Sequence, residues 1–369
     1  MKKIFCFFLI ISLCVFVQPI SLVSALKENI SANEAEEVVS KFIREVDLLG
    51  WDNAAVQFKA DLYDSEDVHL GFLFYLLSGS NVIGYVITSS STDREPVLEF
   101  GETMNQVVDE HIKGSKKLHY LGASQYVFAS NKSELYEIIA KRHGNNKQIK
   151  PIERDASNKE KWNRYLESSN QIASAATTLA TNLELAVPRI WQRTSGVDYP
   201  GSACGPTTAA MISNFLKGIE GHPIRGTAEY GTVDKFIDHL YYELNATQFG
   251  TSMPDWRQGF YFHLNHNYTP TGWGVGSMRA TDPLGGWEKY RERISAHRPV
   301  ALRFDFWTSE GVEASYHFVA GNGIKNVSGV NYFGYKDPDG GQYNTGTHWA
   351  SWTVNDQDMD MGYPVWNWD

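Results

Sequence analysis

Cysteine is scarce in this chain, with 3 in 369 residues. Basic runs are missing too: Lys plus Arg number 33 against 43 Asp plus Glu, for a formal net charge of −10. Phosphate recognition needs clustered Lys and Arg, so the composition excludes a nucleic-acid partner. There is no P-loop and no internal repeat, and past the first 25 residues no apolar run is long enough to span a bilayer. Disorder over most of the chain is equally excluded, because 13% of the residues are aromatic. What remains is an acidic protein with enough length for two domains and at least one real core.

The N-terminus reads as a secretory signal peptide. Lys2 and Lys3 form a short basic start, residues 4–17 are apolar apart from Ser12, and Val23-Ser24-Ala25 presents small residues to a signal peptidase. Cleavage after Ala25 predicts a secreted, extracellular protein without a membrane span. It also removes Cys6 and Cys14, leaving Cys204 with no disulfide partner. A single thiol outside the cell raises the question of reactivity.

Along the mature chain, Ala35, Val38, Val39, Phe42, Ile43 and Val46 fall at helical spacing behind a Ser31–Glu34 capping box. Residues 54–63, 70–77, 81–90 and 96–100 predict a small antiparallel sheet. A second helix is predicted over Met104–Ile112, a strand near Tyr120–Ala129, and a third helix over Lys132–Lys141. Residues 26–142 thus read as a small α+β N-terminal domain, 143–184 as a linker with some helical content, and 185–369 as the main domain. The last holds nine of the eleven tryptophans.

Residues 204–218 predict a helix whose buried face is Thr208, Met211, Ile212, Phe215 and Leu216. Proline is tolerated only in a helix's first turn, so Pro206 places the start at Cys204. The thiol then sits among unpaired backbone N–H groups at the positive end of the helix dipole, where a thiolate is favoured. Such a nucleophile needs a proton acceptor, itself oriented by a further group. Of the eleven histidines, His317 has the strongest context, between the predicted strands Val300–Phe306 and Tyr332–Asp337. A hairpin turn centred on Val327 sets His317 directly opposite Asp337.

Together, Val187-Pro188-Arg189-Ile190-Trp191-Gln192, the Cys204-Gly205-Pro206-Thr207-Thr208-Ala209-Ala210-Met211 helix start, the Pro299-Val300 strand, His317-Phe318-Val319-Ala320-Gly321 and Lys336-Asp337-Pro338 resemble the peptidase C39-like family. These are papain-like cysteine peptidases related to bacteriocin-leader peptidases. The resemblance covers roughly residues 185–369. It implies a papain-like α+β domain with the cysteine helix packed on an antiparallel sheet. It also implies Cys204 as nucleophile, His317 as general base and acid, Asp337 as the orienting residue, and Gln192 as an oxyanion-hole donor. Gln192 stands twelve residues before Cys204, and no exporter domain is present, so leader processing during export is not expected. Gly84-Tyr85-Val86-Ile87-Thr88-Ser89 resembles a strand of the pro-domains of some secreted cysteine peptidases. The N-terminal domain is therefore a candidate pro-domain covering the cleft in cis, with substrate docking as the alternative.

The expected reaction is peptide-bond hydrolysis through a thioester. Another acyl-transfer activity, amidase or transglutaminase-like, would use the same residues, and a peptide or cell-wall binding module on a decayed peptidase fold is the non-catalytic alternative. No cofactor is expected. His263-x-x-His266 offers two zinc ligands but no third at a typical spacing, and Asp356-x-Asp358-x-Asp360 lacks the glycine and closing acid of a calcium loop. No metal site is therefore expected either.

Overall fold

The computed structural model describes residues 28–48, 50–102, 112, 114–123, 125–143, 148–149, 151–166, 182–266, 272–283, 285–304, 307–308 and 317–366. The predicted signal peptide, the helix predicted over Met104–Ile112 except for Ile112 itself, and residues 167–181 of the predicted linker lie outside the described residues.

The first half opens with helix α1 (Ala32–Glu45), where the Ser31 N–H donates to the Glu34 carboxylate at 2.7 Å and the Ser31 side chain accepts from the Glu34 N–H. Its apolar stripe lies over strands β1 (Ala55–Tyr63), β2 (His69–Ser78), β3 (Asn81–Ser89) and β4 (Val97–Gly101). The single strand predicted near residues 120–129 is instead a hairpin, β5 (Lys117–Tyr120) and β6 (Tyr126–Ala129). Gly122, at a positive φ, sits in the turn that interrupts it. Helices α2 (Lys132–His143) and α3 (Asn158–Leu166) follow, with β7 (Gln148–Ile149) between them.

The second half contains β8 (Leu183–Glu184), α4 (Cys204–Gly218), α5 (Val233–Glu243), α6 (Met253–Leu264), β9 (Trp273–Arg279), α7 (Gly286–Ser295), β10 (Val300–Phe304), β11 (Trp307–Thr308), β12 (His317–Val327), β13 (Val330–Lys336), β14 (His348–Ser351) and β15 (Met359–Trp366). The architecture is the expected α+β, with the cysteine-bearing α4 packed across β12 and β10 of an antiparallel sheet.

The sheet does not stop at the predicted boundary. Its order is β6-β5-β1-β2-β3-β4-β14-β13-β12-β10-β15-β9, antiparallel except where β1 meets β5. The join is β4 against β14, with Glu99, Phe100 and Gly101 opposite Ala350, Trp349 and His348. Cores mix across the same line. Phe42, Phe100, Trp162 and Tyr165 pack with Val327, Tyr332 and Trp349, while Leu121, Val127, Leu135 and Ile139 join the core beneath α4.

Candidate functional site

The start of α4 has no side-chain cap. The Thr207 N–H bonds the Ala203 carbonyl at 2.8 Å to open the helix. No acidic residue occupies the first turn. The backbone donors of that first turn thus meet no capping carboxylate or hydroxyl, and the Cys204 thiol stands among them. Cys204 is a free thiol and 7% exposed. Close packing sets its place. A Cβ on Gly205 would lie 2.5 Å from the Thr251 methyl and 3.4 Å from the Phe318 ring, and Phe318 is the residue after His317. The Trp256 indole N–H donates to the Gly205 carbonyl at 3.1 Å from the other side.

His317 begins β12 and Asp337 follows the last residue of β13, so both stand at the open end of one hairpin. Their register differs from the prediction. The turn is Ser328–Gly329, with φ of 49° and 82°, and a bulge interrupts the pairing between Gly321 and Gly323. Ala320 faces Lys336, so Asp337 lies diagonal to His317 rather than opposite it. The diagonal is within side-chain reach: His317 Nε2 donates to Asp337 Oδ1 at 2.8 Å.

With Nε2 committed to the carboxylate, Nδ1 is the nitrogen left for the thiol, and Cys204 lies near enough to the imidazole to bear on its charge. Burial disfavours a charged imidazole, but the Asp337 charge and hydrogen bond, then the Cys204 contacts, hold its pKa well above 6.5. The pair's contribution to stability is thus complete below pH 6.5 and is lost as the pH rises through the raised value.

Asp337 is held from two directions. Its Oδ1 also accepts from the Asp339 N–H at 2.8 Å. Arg189, which sequence reasoning did not single out as a site residue, donates to three loop carbonyls, those of Asp337 (3.0 Å), Gln342 (3.2 Å) and Gly341 (2.6 Å). Arg193 forms a forked pair with Asp339 at 2.6 and 2.8 Å. Gln192 lies between these parts. Its backbone N–H donates to the Pro338 carbonyl at 2.9 Å, and its amide donates to the Pro200 carbonyl at 2.9 Å, four residues ahead of Cys204. The side chain is 2% exposed, and its Oε1 is buried without a hydrogen-bond partner.

A second polar network supports the same loop from the first half of the chain. Asn344 donates to His348 Nε2 at 2.8 Å, and His348 Nδ1 meets the Tyr85 hydroxyl at 2.7 Å. That hydroxyl donates to the buried Glu99 at 2.6 Å, which also accepts from Tyr126 and Tyr335. Burial lowers the His348 pKa to about 4 and raises that of Glu99, leaving both groups uncharged more readily than in water. Nothing local in the sequence marks this network, because the Tyr85–His348 and Tyr335–Glu99 contacts that close it join strands more than two hundred residues apart.

The remaining motifs resolve differently. Asp360 pairs with Arg279 and Arg303, each at 3.4 Å, rather than turning toward Asp356 and Asp358 as a cation loop would require. Trp349 and Trp352 are core residues, Trp366 is partly buried against Trp273, and Trp368 lies outside the described residues. Among the described residues no helix is long and apolar enough to cross a membrane.

Comparison with known proteins gives one family and a distant structural likeness. No curated protein matches the sequence. A solved fragment of prointerpain A from Prevotella intermedia is 14% identical and superposes over 84% of this chain and 98% of that one, with a TM-score of 0.43. The family profile described as "Peptidase_C39 like family" matches residues 184–365, a span that takes in α4, β12, β13 and the loop holding Asp337. That segment, the C-terminal half of the chain, belongs to the Peptidase_C39 like family.

Proposed function

We propose that the protein is a cysteine peptidase that hydrolyses peptide bonds with Cys204, His317, Asp337 and Gln192. The observation that carries this reading is the His317 imidazole, hydrogen-bonded to the Asp337 carboxylate and close to the thiol at an uncapped helix start. The Cys204 thiolate attacks the scissile carbonyl, and the oxyanion is held by the Cys204 N–H and the Gln192 amide. His317 delivers its proton to the departing amine, leaving a thioester. Water then attacks with its proton passing to His317, and the thiolate is released as the acid leaves.

The proposal extends to export by the signal peptide and to a first half that borders the cleft. Support for the latter is the pairing of β7 with β11, which sets residues 148–149 of the first half against residues 307–308 of the second. The test is direct. Purified full-length protein should cleave an unfolded protein substrate, and Cys204→Ser should abolish cleavage while keeping the fold. An amine-linked product in place of cleaved peptide would assign the site to transfer chemistry, and full biological effect from Cys204→Ser would make the domain a binding module.

A further inference from the structure

Four side chains converge on the far side of the helices that back α4. His239 and Glu243 lie four apart on α5, and His263 and His266 lie three apart at the end of α6, so each pair shares a helix face. Glu243 is the hub. Its Oε1 is 2.9 Å from His239 Nε2 and 3.2 Å from His266 Nδ1, and its Oε2 is 2.9 Å from His263 Nδ1. One ligand atom each from His239, Glu243 and His263 lies within 4.8 Å of the others. In a tetrahedral zinc site with bonds of about 2.0–2.1 Å, donor atoms stand about 3.3 Å apart, so these separations fit one cation with little movement.

The surroundings of these rings point the same way. His263 is fully buried, its Nε2 lies 3.0 Å from the Arg225 carbonyl, and its Nδ1 is left facing a Glu243 oxygen at 2.9 Å. His239 Nε2 is covered by protein, 2.9 Å from Glu243 and without a well-aligned hydrogen bond. The Arg225 guanidinium stands 3.3 Å from Glu243 Oε1. A divalent cation between these groups takes the ring nitrogens and the carboxylate as ligands together. The Arg225 carbonyl on His263 and the guanidinium on Glu243 then serve as the outer hydrogen bonds that orient ligands.

We propose that His239, Glu243, His263 and His266 bind a divalent transition-metal cation, zinc by its preference for imidazole and carboxylate. The cation pins α5 to α6, and α6 carries the Trp256 that hydrogen-bonds Gly205 beside the cysteine. Its role is structural, and it stands whether or not the protein is a peptidase.

The experiment uses the full chain with Cys204→Ser, so that the thiol cannot supply the binding, stripped with a chelator and titrated with Zn²⁺ and then Co²⁺. The expected result is one equivalent bound, a visible tetrahedral Co²⁺ spectrum without a thiolate charge-transfer band, and a Tm raised by several degrees. His239→Gln and His266→Gln change side chains that are 30% and 43% exposed, so the fold should survive, and each should weaken zinc binding at least tenfold. Glu243→Gln should abolish it. Absence of stoichiometric uptake, or uptake unchanged in His239→Gln and Glu243→Gln, overturns the proposal.

Discussion

At the scale of single residues, the site depends on charge placed next to one imidazole. Asp337 does two things for His317: its oxygen fixes the ring, and its charge holds the proton on it. Asp337→Asn separates these. The amide oxygen can still accept from Nε2–H, but the charge is gone and the His317 pKa falls. We expect the alkaline limb of kcat/KM to move down by about one unit or more, with kcat reduced less than about tenfold. An alkaline limb that stays in place would contradict the assigned proton. Gln192→Ala should lower kcat by about 10²–10³ if its amide faces the oxyanion, with KM little changed. The helix start at Cys204 was legible from Pro206, and the strand position of His317 from the segments that flank it. Arg189 was not, because its partners are loop carbonyls whose positions no local pattern reveals.

At the scale of elements, α4 must meet β12 closely enough for thiol and imidazole to touch. The contact runs through Gly205, which has no room for a side chain between Thr251 and Phe318. Thr251 cannot easily yield, since it is 1% exposed and its hydroxyl donates to the Leu244 carbonyl at 2.7 Å. Gly205→Ala should therefore cost about 1–3 kcal/mol by overpacking and also slow the thiol chemistry, measured as denaturation midpoint and alkylation rate on the same sample. Unchanged values for both would show that the approach is looser than drawn. Strand positions in the first half were readable from their turn clusters, and α4 from its proline and apolar stripe. The β12–β13 register was not, because a bulge and a Ser328–Gly329 turn displace a symmetric hairpin estimate by two residues. The His239, Glu243 and His263 cluster was missed for a related reason. Sequence spacing shows which residues share a helix face, but not which face of a second helix lies against it.

At the scale of the whole molecule, two halves that read as separate domains share a sheet. The β4–β14 ladder, the stacking of Phe100 on Trp349 at 6.2 Å, and the Tyr85–His348 hydrogen bond all cross between them. Cutting there would expose a strand edge and large apolar side chains. Calorimetry should thus show one cooperative transition for the full chain. Phe100→Ala, which empties a fully buried aromatic site, should lower it as a unit by about 3–5 kcal/mol. Two transitions, only one of which moves, would mean that the halves fold independently. Long-range pairing of this kind was invisible in the sequence, since β4 and β14 are each ordinary short strands and their partnership has no local signature.

The central claim is that His317 activates Cys204, and alkylation tests it most directly. Iodoacetamide is reacted with the intact protein at pH 6, where an ordinary thiol of pKa about 8.5 is almost wholly protonated. Modification of Cys204 is expected at least about tenfold faster than that of free cysteine, falling to the free-thiol rate in His317→Ala. A rate equal to that of free cysteine in the unaltered protein, unmoved by His317→Ala, would contradict it.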